Sequence, residues 1–483
     1  MSASGANVYV APRRRPPGPH GHALLGSLLE VRRDRIRFVT RSVETYGDIV
    51  GFRMPHRNLV LLRHPDHIRH VLCENPGNYR KGLGLRDATD LLGDGLLTSD
   101  GDLWASRRRI LQTAFQRDRL QSYHASISEA AFSLADRWER AAISGTVLDA
   151  GGEFAIATLR IATRTLFETK LDDGTLAEIA ADLDIAGQMA MARMTAFVPL
   201  PRWLPTRANL RTAAAIRRLE SHVDGIARGY DAGRHAPGSM LRKLIEGVAA
   251  ETDPRRAVRN EILTFLLAGH ETTAATLTWA LYLLARNRDC LETLRQEVDQ
   301  IEDASKLAYT RMAIDETMRL YPPVWMLPRR SVADDCIGGY DVPAGSDVLI
   351  SLYSLHRHPN FWPDPERFEP GRFAASGRPG SGAYLPFGSG PRTCVGASLG
   401  LLEAVILLAT VVARCEFQLA SEQEVECEAS LSLRPKNGLR ILVQRRVKRY
   451  LQSANSEKPS DRACPYHCPM AESQPKDRRS THD

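Results

Sequence analysis

Phe387-Gly388-Ser389-Gly390-Pro391-Arg392-Thr393-Cys394-Val395-Gly396 places one cysteine at the mouth of an apolar helical run, Val395 to Arg414. The first N–H groups of a helix and its dipole favour an anion, so Cys394 is set up as a thiolate, the form that binds metal. Backbone N–H groups following the sulfur can donate to it and tune a bound metal. Gly390 and Gly396 remove side chains where the backbone must approach a bound group closely. Arg392 offers a guanidinium suited to a carboxylate on that group. A lone cysteine in a glycine-rich turn is ordinarily a buried structural residue. Here five specified positions within ten residues have a chance expectation on the order of 10⁻⁴ per chain, which sets that reading aside.

Around this stretch, residues 356–393 are rich in Pro, Gly and aromatics and too long for an idle loop. Further upstream, Ile337–Leu352 reads as short strands around Pro343-Ala344-Gly345. A helix is expected over Tyr309–Leu320, stopped by Pro322-Pro323, and a long one from about Ala257 to Arg286. From Trp104 to Ile245 the apolar period is helical, interrupted by Pro199, Pro201 and Pro205. Ile49–Arg53 and Leu59–Leu62 flank a polar turn and predict a hairpin. The fold class is therefore mainly α, with a small β-rich lobe at about residues 45–65 and 337–352.

Three further stretches carry chemistry. In Ala268-Gly269-His270-Glu271-Thr272-Thr273 a mid-helix glycine costs about 1 kcal/mol relative to alanine. The Thr272 hydroxyl is within reach of the carbonyl four residues back, which bends helices, and a local opening is expected there. Glu316 and Arg319 share one helical face at i,i+3, and Trp104 and Arg108 do so at i,i+4. Taken singly, each pair is more often a solvated charge or a core tryptophan.

In this order, the stretches resemble the cytochrome P450 family over about residues 15–445. The cysteine stretch is similar to its haem signature F-x-x-G-x-R-x-C-x-G at every specified position, and 268–272 to its oxygen-binding pattern A/G-G-x-D/E-T. Glu316–Arg319 resembles its E-x-x-R, and Trp104–Arg108 its W-x-x-x-R. The resemblance implies the P450 fold and haem b (iron protoporphyrin IX), with Cys394 as iron ligand and Phe387, Gly390 and Gly396 against the macrocycle. A thiolate ligand there favours O–O cleavage. It implies Thr272 as stabiliser of the activated oxygen and Glu271 as proton relay. Arg392, Trp104, Arg108 and either Arg329 or Arg330, with Arg329 preferred, would meet the propionates.

Arg372, in Pro370-Gly371-Arg372-Phe373, is preferred over Arg367 as the third member of a structural Glu316–Arg319 cluster that locks the cysteine loop. Ala268, Val324, Trp325, Met326 and Met191 are expected in the substrate pocket, with Leu83–Leu97 as its other wall. The implied reaction inserts one oxygen atom from O2 into an apolar C–H or C=C bond. Terpenoid, steroid, fatty acid and polyketide substrates all fit. Electrons would come from a ferredoxin or similar carrier with its reductase, attracted by Arg378 and Arg392 on the Cys394 side. The rivals are a haem-thiolate peroxygenase or isomerase needing no electron donor, and a haem sensor without turnover. The intact Glu271–Thr272 pair argues against the first, and turnover with an electron carrier would decide against the second.

Composition bounds the rest. The chain has 483 residues, 43% hydrophobic and 25% charged, as in ordinary soluble globular proteins. Net charge is +7, and the stretch from Arg445 onward carries +4 of it, so no basic stripe on the body invites a nucleic acid. Eight scattered cysteines and no secretory signal point to reduced thiols and a cytoplasmic setting. The best apolar run, Ala404–Ala413, is half a membrane span, so no membrane anchor is expected. Cys464, His467 and Cys468 lack the spacing of a closed zinc site. A flexible N-terminus over 1–14, a disordered polar tail over 446–483 and a monomer complete the expectations.

Overall fold

Ile49–Met54 (β1) and Arg57–Leu62 (β2) pair antiparallel from Ile49↔Leu62 to Met54↔Arg57, the hairpin the alternation predicts. The computed structural model describes residues 14–446 except 56, 86–87, 195–200, 202, 375–381 and 421–424. Most of the two terminal segments, the Cys464–Cys468 stretch, Pro199 and Arg378 thus lie outside the described residues. Tyr79–Lys81 (β3), Met326–Ser331 (β4) and Asp347–Ser351 (β5) complete a sheet in the order β1-β2-β5-β4-β3, with only β2 and β5 parallel. The lobe therefore draws on 326–331 and 79–81 as well as on the expected segments. Asp335–Ile337 and Tyr340–Val342 pair only with each other.

The helical stretch resolves into Gly101–Leu111, Arg117–Ser144, Ala150–Leu166, Asp173–Met194, Arg207–Ile226 and Met240–Gly247. Numbering from Arg35–Tyr46 as α1, these are α2 to α7. Then follow Pro254–Arg286 (α8), Arg288–Gln300 (α9), Ala308–Leu320 (α10) and Ala397–Arg414 (α11). α8 starts three residues earlier than expected because Asp253 caps it, accepting from the Arg256 N–H, and Pro254 fits the first turn. α9 escaped the sequence reading although Leu291, Leu294 and Val298 mark a buried i, i+3, i+7 face.

α8 is buried along most of its length and packs against α4, α10 and α11. α11 is the one described helix long and apolar enough to cross a membrane, and it is a core helix packed on α3, α8, α9 and α10. The strand at the end of the described chain, Arg440–Arg445, pairs antiparallel with Cys415–Leu419. The long 356–393 segment stays largely irregular, so the cysteine is presented by a loop at the start of α11, facing α8.

Candidate active site

The Cys394 loop is fixed by its own backbone. The Cys394 N–H donates to the Phe387 carbonyl at 2.9 Å, and the Thr393 N–H and hydroxyl both donate to the Gly390 carbonyl. Gly396 caps α11, so the helix proper begins at Ala397, two residues later than the apolar run suggested. The Cys394 side chain opens onto the cavity described below and is enclosed by protein elsewhere. Burial pushes its thiol up, while the Gly396 N–H and the charge of Arg108 work in the opposite direction.

Gly390 is needed for a different reason from the one expected. Its φ is +72°, and a Cβ there would lie 1.9 Å from the Leu72 carbonyl oxygen, so it admits the 70–74 segment rather than a bound macrocycle. Gly396 and Phe387 do line the cavity; a Cβ on Gly396 would make only an ordinary contact with Phe115.

At one edge of the cavity four cations converge. Arg108 Nη1 donates to the Thr393 carbonyl at 2.8 Å, and the guanidinium groups of Arg108 and Arg392 lie 5.9 and 5.6 Å from the centre of the Trp104 ring. Arg392 donates to the Tyr79 carbonyl and to Asp100 at 2.7 Å, so it points inward and is not a surface charge for a carrier. Arg329 is buried, with its pKa pulled down to about 10 by burial and by neighbouring Arg392. Arg330 turns away to pair with Asp347 at 3.3 Å. Lys81, which the sequence reading missed along with Asp100, is buried with its Nζ on the Leu96 and Ser99 carbonyls. Burial lowers its pKa to about 7. Among the described residues the buried Arg392 Nε has no hydrogen-bond partner, and Arg329 Nη1 meets only the neighbouring Pro328 carbonyl. This edge has donors to spare for carboxylates.

The cavity, about 520 Å³, lies between this loop and α8. Its walls include Ala268, Gly269, Glu271 and Thr272 from α8, Met191 and Met194 from α5, and Val324, Trp325 and Met326 before and within β4. Leu83, Leu92, Leu96 and Leu97 supply the other side. Thr272 Oγ1 donates to the Ala268 carbonyl at 2.9 Å, as the spacing predicts. The expected opening of the helix is not there: α8 runs unbroken from Pro254 to Arg286. The side-chain donors add to the backbone ladder, and packing against α4, where Thr158 donates to the His270 carbonyl, holds the axis.

Thiol on one wall, cations at the rim and apolar walls between them match the donor set of a haem b with its two propionates. A sequence profile described as Cytochrome P450 matches residues 16–443. The chain belongs to the cytochrome P450 family. The cyclooctat-9-en-7-ol 5-monooxygenase of Streptomyces melanosporofaciens is 34% identical over 421 residues, 84% of this chain and 90% of the relative. The cyclooctatin synthase of the same organism is 33% identical over 416 residues, covering 83% and 89%. The chloroplastic carotene epsilon-monooxygenase of Arabidopsis thaliana is 30% identical over 436 residues, covering 83% and 80%. This P450 is a monooxygenase with haem b as its cofactor. Like its family it uses O2, an apolar substrate and an electron-transfer partner.

Behind the cysteine loop of the P450 sits a buried ion cluster. Arg319 and Glu316, both 0% exposed, form a two-point pair at 2.7 and 2.8 Å. Arg372 Nε lies 3.3 Å from Glu316, and the Glu369 N–H donates to the same oxygen. Arg367 contributes only its carbonyl, which accepts from Arg319 together with the carbonyls of His356 and Pro365. His356 is held neutral, its pKa lowered to about 3 by burial and by Arg319.

Two buried acids went unnoticed in the sequence. Glu403 of α11 lines the cavity at 4% exposure, and burial pushes its carboxyl well up. Glu261 of α8 accepts the Leu96 N–H at 3.0 Å and sits beside Arg107.

Proposed function

We propose that this P450 hydroxylates a terpenoid, with electrons delivered to the monomer by a separate ferredoxin-type carrier at the Cys394 side. The observation that supports an apolar hydrocarbon substrate is the lining of the cavity, with Phe38, Phe265, Trp325, Met191 and Met194 among its walls. The names of the similar monooxygenases point the same way. Haem b, held by Cys394 with Arg108, Arg329, Arg392 and Trp104 at its propionate edge, supplies the oxygen-activating chemistry when bound.

The chain's own residues do the rest. The apolar walls exclude water and orient the substrate. The Thr272 hydroxyl lines the cavity with its one proton given to the Ala268 carbonyl, so it offers the cavity an acceptor and becomes a donor there when it leaves that bond. Glu271, half-buried at the cavity wall, takes a proton from solvent and passes it inward.

The experiment is a Soret-band titration of holoprotein with a cyclic terpene alcohol, a carotenoid, a steroid and a fatty acid, followed by product analysis with reduced ferredoxin. A spin-state shift and an oxygenated product with the terpenoids are expected. A shift confined to the fatty acid or steroid overturns the substrate class. Turnover with peroxide alone, and none with the carrier, overturns the electron route.

A further inference from the structure

The turn joining Cys427–Ala429 (β6) to Leu433–Pro435 (β7) touches both the acid of α8 and the helix that lines the substrate cavity. Ser432, 2% exposed, donates its hydroxyl to Glu271 Oε1 at 2.7 Å. Among the described residues no other donor reaches the Glu271 carboxyl group, which leaves Oε2 without a protein partner. The base of the hairpin is pinned: Trp279 Nε1 donates to the Leu433 carbonyl at 2.9 Å, and the Leu433 N–H to Pro323.

The opposite side leans on α5. Arg434 Nη1 donates to Asp184 at 2.6 Å, and Leu431 packs over Gly187, where a Cβ would lie 2.7 Å from its Cδ1. Leu431 and Met191, one helical turn beyond Gly187, both line the cavity. A molecule that fills the cavity therefore presses on the same three-residue tip that holds the acid.

We propose that the 430–432 tip couples filling of the substrate cavity to proton delivery, with Ser432 as the positioning residue for Glu271. The proposal rests on Glu271 being the relay acid. When the cavity is filled, Leu431 is trapped between ligand and α5, and Ser432 is held against Glu271. When it is empty, the tip has slack, and the acid loses its fixed orientation. The hairpin thereby ties oxygen activation to the presence of something to oxidise.

The test uses holoprotein, reduced ferredoxin and a cyclic terpene alcohol that shifts the Soret band. Ser432→Ala should lower product per NADPH by about three- to tenfold, the range expected for one ordinary hydrogen bond lost, and raise peroxide release. Its spectral dissociation constant should rise only modestly and its melting midpoint should show a retained fold, and Ser432→Thr should restore coupling. Independently of turnover, the infrared carboxyl band that disappears in Glu271→Gln should shift in Ser432→Ala.

Gly187→Ala, which displaces Leu431 without touching Glu271, should reproduce the uncoupling and add nothing in the Ser432→Ala background. Unchanged coupling in Ser432→Ala, no rescue by threonine, or additive effects of the two variants overturns the proposal. If Glu271→Gln itself couples normally, it is the relay reading that fails.

Discussion

The two walls of the cavity are built on opposite plans. The Cys394 wall is a short loop set by its own backbone hydrogen bonds and backed by the fully buried Glu316–Arg319 pair, with the mostly buried Arg372 joining it. The α8 wall is a continuous helix whose working groups, Glu271 and Thr272, are placed by single side-chain hydrogen bonds to Ser432 and Ala268. One wall is rigid because many donors and acceptors fix each group; the other is adjustable because few do. A fixed ligand suits a cofactor that never leaves, and adjustable groups suit proton transfers that must wait for a substrate.

The largest effects belong to the rigid wall. Cys394→Ser should abolish the thiolate-type carbonyl spectrum and bring turnover to background while leaving the apoprotein's melting midpoint almost unmoved. That outcome separates ligation from folding. Glu316→Ala should do the reverse. It leaves two buried guanidinium groups without their shared carboxylate, and a loss of about 3–5 kcal/mol in denaturant unfolding is expected. If that variant lost less than about 1 kcal/mol, the loop would be held by its backbone alone, and the contrast between the walls would shrink.

On the adjustable wall the balance changes. Thr272→Ala removes a hydroxyl that back-bonds within its own helix, so stability should move by no more than about 0.5 kcal/mol. Coupling of NADPH consumption to product should nevertheless fall several-fold, read as peroxide released per product. Equal coupling in the variant would strip Thr272 of its assigned part.

The same contrast explains what the sequence made legible. Everything in the rigid wall is local in sequence: ten residues around Cys394, four around Glu316, and a Pro-Gly-Arg-Phe box close enough to choose Arg372 over Arg367. The pocket side also followed where it lay next to such a motif, as with Val324 to Met326 after α10. What escaped were residues whose part is created by distant chain segments meeting. Lys81 and Asp100 join Arg392 only through the pairing of β3 with β4 and the turn before α2. Ser432 meets Glu271 across 161 positions. Gly390 was credited to the macrocycle because its true neighbour, Leu72, is more than 300 residues away in sequence and no local pattern announces it. The expected break in α8 failed for a related cause: glycine and threonine weaken a helix locally, but packing against α4 decides whether it opens.

The smallest predicted effect tests how far the adjustable wall is also a titrating one. Glu261 of α8 holds the 93–100 strap by the Leu96 N–H, facing Arg107 and Lys81, with Glu251 beyond. Burial raises its pKa from the ordinary 4.5 to about 7. The folded state therefore binds this proton more tightly than the unfolded chain. The stability it brings is complete below about pH 4.5 and is lost as pH rises through about 7. Lys81, lowered from 10.5 to about 7, acts in the window above, where its contribution is lost as pH falls, and leaves the lower window to Glu261. Glu261→Gln carries no such proton. Relative to the wild type it should gain on the order of 1 kcal/mol between pH 4.5 and 7, measured by chemical unfolding of the apoprotein at several pH values. A difference that stays flat across that window would mean Lys81 and Arg107 keep Glu261 ionised throughout. The strap would then be clamped by an ion network of the same kind as Glu316–Arg319–Arg372, and the two walls would differ in their loads rather than in their construction.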